Sequence, residues 1–354
     1  TLEGLGVPVF HPLILYHRTE AEWRECTDGM CGSNVSWYVA MPEFLGGITM
    51  MPIGAAGSRE PGETDGEQHI PMDERLERFV ARVRGWIDLA QKPASERRVA
   101  FILHNKPCAS AEATVGAGAH LDTLESVVRI LEVMHDAGYA VECPESGKTL
   151  IDDIMDRKAV SDFRWTSVTE IVRKGGALAL IEPDEYTAWF ETLPPAVRTR
   201  IIETWGQPPG EAMVHEGKIV VTGVRYGDAI ICVQPKRGCA GSKCDGEVCK
   251  ILHDPEVPPT HQYLATYRYI EEAFGADVII HVGTHGTLEF LPGKSVALSD
   301  ACYPDIAIGT IPHLYIYNAD NPPEGTIAKR RSYAVLVDHM QAVMTASDLY
   351  AGLK

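Results

Sequence analysis

Residues 278–294 read V-I-I-H-V-G-T-H-G-T-L-E-F-L-P-G-K. Val278 to Ile280 is a short, wholly apolar run, the pattern of a buried strand. It leads straight into His281, Gly283, His285, Gly286 and Glu289. An open α/β sheet binds ligands in a crevice at the carboxyl ends of its strands. Glycines there let the backbone approach a ligand closely.

The surrounding pattern supports that fold class. Val99 to Leu103, V-A-F-I-L, is a second strand of the same kind. It is followed by a long polar loop and then by a helix that begins at Asp122. Leu124, Val127, Val128, Leu131 and Met134 form that helix's apolar face, and Gly138 ends it. Tyr139 to Glu142 reads as the next strand, which completes a βαβ unit and hence a parallel sheet. Asp73 to Gln91 is predicted helical with Asp73 as N-cap. Its apolar face is expected to be Leu76, Phe79, Val80, Val83, Ile87 and Ala90, with the arginines mostly elsewhere. Trp37 to Leu45 reads as a buried strand, Lys218 to Val224 and Ala229 to Val233 as a strand pair, and Gln262 to Phe274 as a helix. Leu314 to Tyr317 and Tyr333 to Val337 are further strands, with a helical turn at Thr326 to Arg330. The fold expected is α/β, with open, mainly parallel sheets flanked by helices in two or more lobes around a crevice. The divisions are 1–72 as the end of an N-terminal α/β lobe, 73–215 as a middle α/β lobe, and 216–354 as a core lobe. The chain begins at Thr1 and stops at Lys354 inside a predicted helix, Ala346 to Leu353, so it is expected to be an internal piece of a longer polypeptide.

Composition removes some functions. A net charge of -17 disfavours nucleic-acid binding, which needs cations to neutralise phosphates. No apolar run approaches the ~20 residues that span a bilayer. There is no G-x-x-x-x-G-K-[ST], so no Walker A nucleotide site. Nine cysteines, an odd number without a secretory signal, point to a reducing, cytoplasmic setting.

Three clusters carry chemistry. His281, His285 and Glu289 repeat at steps of four, and imidazole with carboxylate suits a metal ion or acid–base work. H-x-x-x-H resembles the zinc-protease spacing, but that motif needs Glu after the first His, where this chain has Val282. The same spacing also suits histidines that only hydrogen-bond loop backbone. The second cluster is the polar strand end at Asn318 and Asp320, followed by Lys329, Arg330 and Arg331. Guanidinium forks pair with carboxylates or phosphates, so an anionic substrate is expected; a solvated helix end is the alternative. The third is Cys239, Cys244, Cys249 and His253, which could hold zinc or an iron–sulfur cluster, or be plain thiols. His104 and Asn105, at a strand end, are expected to line the crevice.

The chain also resembles the large subunit of the ATP-dependent tetrapyrrole metal chelatases, the cobaltochelatase and magnesium chelatase family. The matching residues include Pro42-Glu43-Phe44, Ala100 to Asn105, Asp136 to Tyr139, Pro235 to Gly238, and Pro258-Pro259 with His261 to Arg268. H-G-T-L-E-F-L-P-G-K, L-S-D-A-C-Y-P-D and E-G-T-I-A-K-R-R-S-Y match best. L-S-D-A-C and Val337 to His339 look more like the cobalt branch; Tyr303 to Asp305 and T-I-A-K-R-R-S-Y look more like the magnesium branch. The resemblance implies that the tetrapyrrole and the divalent ion, Co2+ or Mg2+, are substrates bound here, while AAA+ type partner subunits hydrolyse ATP. It implies Glu289 as proton acceptor or transient ligand and His281 and His285 as residues that present the ion. Lys329, Arg330 and Arg331 would pair with the macrocycle's acidic side chains, and Asn318 and Asp320 would line the crevice. Cobalt insertion into a corrin-pathway macrocycle of the hydrogenobyrinic acid a,c-diamide type is the first expectation. Magnesium insertion into protoporphyrin IX is the second, and a tetrapyrrole carrier or sensor without turnover is the alternative of another class.

Overall fold

A computed structural model of the chain describes residues 2–57, 68–105, 114–118, 121–161, 166–238, 254–318 and 322–339. The helix expected at Ala346 to Leu353 and the Cys239, Cys244, Cys249 and His253 loop lie outside them, as does Asp320.

The core is a six-stranded sheet. Its strands are β1 (Val99–Leu103), β2 (Val224–Tyr226), β3 (Ala229–Val233), β4 (Val278–Gly283), β5 (His313–Asn318) and β6 (Val335–His339). They lie in the order β2-β3-β1-β4-β5-β6. Only the β2–β3 hairpin is antiparallel; the other neighbours run parallel. The sheet thus joins β1, from the 73–215 stretch, to five strands of the 216–354 stretch.

Every residue of β1, β3 and β4 is buried, because helices cover both faces. Alternate side chains divide between two cores. Ala100, Ile102, Ile230, Cys232 and Ile279 face Tyr263, Leu264 and Tyr267. Val99, Phe101, Ile231, Ile280 and Val282 face Val127, Val128, Leu131 and Ile154. The first set lies on the helix His261–Arg268; the second lies on Thr123–Asp136 and Gly147–Asp156. Asp122 caps Thr123–Asp136 by accepting from the Glu125 N–H at 3.1 Å. Smaller sheets are built from Leu13–Thr19, Pro52–Ala56 and His69–Pro71, and from Ala177–Ile181, Lys218–Thr222 and Val214–His215.

Four local expectations change. Trp37 to Leu45 is helical: Gly32–Val35, a π turn at Ser36–Ala40 and Met41–Phe44 run on without a break. The residues around Pro42 and Glu43 are nearly all apolar, and such a run carries no period that separates strand from helix. Tyr139 to Glu142 forms no strand and makes only a bridge from Val141 to Gly227. The chain therefore leaves β1 and returns to the sheet through the distant β2–β3 hairpin. The 218–224 stretch splits at Gly223, where a Cβ would lie 2.5 Å from Leu178 Cδ1 and 2.8 Å from Ile231 O. Lys218–Thr222 joins one sheet and Val224–Tyr226 the other.

The helix Asp73–Gln91 forms as expected, with Met72 rather than Asp73 as N-cap, but it is turned over. Leu76, Val80 and Ile87 are exposed, and Arg75 and Arg82 are buried. Arg75, Arg78 and Arg82 converge on Asp305, itself 1% exposed, at 3.1, 2.9 and 3.6 Å. The Tyr333 hydroxyl donates to the same carboxylate at 2.9 Å.

Candidate functional site

The chain lays down β1 first, adds β3 on one side, then crosses over to add β4 on the other. The strand order therefore reverses between β1 and β4, the point at whose carboxyl ends open α/β sheets bind ligands. His104 follows β1 there, and its N–H donates to the Val282 carbonyl at 3.0 Å. Thr284 and His285 follow β4. The His104 and His285 rings stand 4.9 Å apart. Burial, with the neighbouring His285, pushes His104 down to about 4, so it is neutral at physiological pH.

Gly283 makes this approach possible. Its φ is +144°, and a Cβ would sit 2.5 Å from His104 Cβ. Gly283→Ala is expected to lower stability by more than ~1 kcal/mol, read as a fall in the thermal midpoint.

The chain after β4 turns through a short 3-10 segment, Leu288–Phe290, that points Glu289 inward. Glu289 is 1% exposed. One carboxyl oxygen accepts the Gly286 N–H at 3.0 Å. Burial raises its pKa above the ordinary carboxyl value, opposed by backbone N–H groups and by His285. It is a carboxyl poised to hold a proton. His285 Nδ1 lies 2.9 Å from the Gly286 carbonyl, which fixes the tautomer and leaves Nε2 as an acceptor.

His281 does not join this group. Strand periodicity turns it from the crevice into the layer under the helix His261–Arg268. Its Nδ1 is 2.7 Å from His313 Nε2 and its Nε2 is 2.9 Å from the Tyr267 hydroxyl. Both nitrogens are engaged, and burial holds the ring well below 6.5. The expectation of His281 as metal ligand or catalytic group is corrected: it is a core histidine. Among the described residues no three His, Cys, Asp or Glu side chains gather in a group that could hold a metal ion.

The basic cluster lies on the helix Pro322–Arg331. Arg330 forms a bidentate pair with Glu43 at 3.1 and 2.8 Å. Arg331 donates to the Leu291 carbonyl at 2.6 Å, tying this helix to the loop that carries Glu289. Lys329 has no ion-pair partner among the described residues. Asn105 accepts from the Thr114 hydroxyl at 3.1 Å, which staples the loop after β1. Asn318 closes β5.

The sequence reading missed Gln234, Tyr263, Tyr267, His313 and Tyr315. Gln234 follows β3, and its Nε2 donates to the Tyr263 and Tyr267 hydroxyls at 3.0 and 2.9 Å. A Cβ on Gly286 would lie 3.1 Å from Gln234 Oε1, 3.2 Å from Glu289 Oε2 and 3.4 Å from the Tyr315 hydroxyl. The available signals were a glutamine ending an apolar strand and two tyrosines one helical turn apart.

Comparison with known proteins adds a family model described as CobN/Magnesium Chelatase, which matches residues 1–354. The chain is 35% identical over 336 residues to the aerobic cobaltochelatase subunit CobN of Pseudomonas aeruginosa, covering 94% of this chain and 26% of that protein. It is 34% identical over 354 residues to the chloroplastic magnesium-chelatase subunit ChlH of Oryza sativa subsp. indica, covering 100% and 24%. The catalytic subunit of cobaltochelatase from Mycobacterium tuberculosis superposes with a TM-score of 0.81 at 31% identity, over 99% of this chain and 29% of that one. The chain thus spans about a quarter of the length of these relatives.

Proposed function

We propose, because this chain belongs to the CobN/Magnesium Chelatase family, that it supplies the metal-insertion crevice of a tetrapyrrole chelatase large subunit. One arrangement carries the reading: a buried carboxyl, Glu289, whose affinity for a proton is raised by burial, follows β4 at the switch point of a parallel sheet. Metal insertion replaces two pyrrole N–H protons with an ion, so a nearby base must take them up. Glu289 takes one of these protons, and the second passes to water. His285 keeps Nε2 for the incoming ion, and the neutral His104 ring beside it adds no positive charge to repel it.

Cobalt insertion into a corrin-pathway macrocycle is proposed first, on the residues at 298–302 and 337–339. Magnesium insertion into protoporphyrin IX is the second reading, favoured by the near-equal identity to the magnesium-chelatase subunit. ATP hydrolysis is assigned to AAA+ type partner subunits. The test is absorbance of the metallated tetrapyrrole, with the full-length subunit, its ATPase partners and each ion in turn. ATP-dependent insertion of one ion is expected. Tetrapyrrole binding without insertion of either ion would replace this reading with the carrier or sensor.

Lys329 would pair with an acidic side chain of the macrocycle, whereas Arg330 and Arg331 act through Glu43 and the Leu291 carbonyl to shape the crevice. Lys329→Ala is expected to weaken tetrapyrrole binding by about threefold to tenfold, with turnover at saturation unchanged. Fluorescence titration against the absorbance assay separates the two quantities.

A further inference from the structure

A line of buried hydrogen bonds runs across the sheet toward the candidate site. The Ser332 carbonyl meets His313 Nδ1 at 2.8 Å, and His313 Nε2 meets His281 Nδ1 at 2.7 Å. His281 Nε2 meets the Tyr267 hydroxyl at 2.9 Å, and Tyr267 meets Gln234 Nε2 at 2.9 Å. All five residues are under 3% exposed.

The direction of every bond in this line is determined. A backbone carbonyl only accepts, so His313 Nδ1 carries the proton. His313 is buried and neutral, so its Nε2 is an acceptor and His281 Nδ1 donates to it. His281 Nε2 must then accept, and the Tyr267 hydroxyl donates to it. The Tyr267 oxygen is left to accept, and only the amide nitrogen of Gln234 can donate. This fixes the Gln234 amide, whose two faces are otherwise interchangeable. Its carbonyl oxygen must point the other way, toward Gly286 and Glu289. That oxygen is buried and has no hydrogen-bond partner among the described residues. It shares with Glu289 Oε2 the small space beside the Gly286 backbone.

We infer that Gln234 is a positioning residue for Glu289, held as an acceptor by the Ser332–His313–His281–Tyr267 line. This inference rests on the chelatase reading above. In the step it serves, the Glu289 carboxylate takes one proton as a pyrrole N–H bond breaks. The new O–H donates to Gln234 Oε1, directly or through one water molecule. Gln234 changes neither charge nor bonding, and the proton stays on Glu289 until it leaves to solvent. Had the line the opposite polarity, Gln234 would present N–H groups to Glu289 and stabilise its ionised form instead.

The test uses the full-length subunit with its ATPase partners. Gln234→Leu is expected to lower turnover by about tenfold or more with tetrapyrrole affinity kept. Tyr267→Phe, which frees the amide to turn over, is expected to lower turnover by about threefold. In the double variant Tyr267→Phe should have no further effect, because it acts only through Gln234. Additive effects, or turnover unchanged in Gln234→Leu, would overturn the inference. If Gln234→Leu does not fold, Gly286→Ala puts a methyl group 3.1 and 3.2 Å from the two oxygens and crowds both, and the same split of lost turnover with kept affinity is required. Loss of turnover in Glu289→Gln with none in the Gln234 and Gly286 variants would defeat this inference alone. Activity in all of them would defeat the chelatase assignment of Glu289 as well.

Discussion

Glu289→Gln in the full-length subunit is expected to lower metal insertion by about 10²- to 10⁴-fold, the usual weight of a positioned proton acceptor. Glutamine has the same shape, and its side-chain oxygen can still accept the Gly286 N–H bond that the carboxyl accepts at 3.0 Å. It cannot take up a proton. Tetrapyrrole affinity should be largely unchanged, since nothing in the substitution alters Lys329 or the crevice walls. The thermal midpoint separates a chemical loss from a folding one. A raised carboxyl pKa means that folding disfavours the ionised form, and this cost appears as pH rises above the ordinary 4.5. A neutral glutamine removes the cost, so the variant should melt at the same temperature or higher at neutral pH. Unchanged turnover would remove Glu289 from the mechanism.

Asp305→Leu is expected to cost about 3–5 kcal/mol, because it leaves buried arginines without their counter-charge. Arg75, Arg78 and Arg82 surround a carboxylate that is 1% exposed, and Arg82 also lies 3.9 Å over the Tyr333 ring. Asp305 joins the helix Asp73–Gln91 to Tyr303–Ile308 and to the segment before β6, so the loss should appear as cooperative unfolding in urea. The same group sets an acid limit. Burial opposes ionisation, but the three guanidinium groups and Tyr333 outweigh it and bring Asp305 from 3.8 to about 2. Its folded pKa lies below its unfolded one. The stabilisation, about 2 kcal/mol, is therefore complete above pH 3.8 and lost as pH falls toward 2. A variant at Asp305 should lose that part of the acid transition; an unchanged acid midpoint would show that the cluster does not matter to it.

Much of the fold was legible where length and flanking residues settle what an apolar run leaves open. Val99 to Leu103, Ala229 to Val233 and the run at Val278 are short, rich in β-branched residues and preceded by charged residues, which suits strands buried on both faces, and they form the centre of the sheet. The helix start at Asp122 was legible for a local reason, since its side chain caps the first turn. The run from Trp37 to Leu45 was illegible because a short apolar segment has no period that chooses between helix and strand. The helix Asp73–Gln91 was legible as a helix and misleading as to its face, since Asp305 lies more than two hundred residues away.

The site divides in the same way. The sequence by itself placed a histidine and a carboxyl after a buried strand at a glycine turn, and the family resemblance singled out Glu289 as the residue to test. Those facts depend on neighbours in the chain. Only the tertiary structure decided that His285 meets His104 across the switch point while His281 turns into the core. It alone paired Arg330 with Glu43 and brought Gln234 to Glu289. Each of these depends on strand parity and on which strands lie side by side, and neither is encoded in local spacing. The strand ends at Gly283, so strand spacing fixes His281 alone, while the turn after it places His285 and Glu289; a repeat that looks like one cluster became one core histidine and one site.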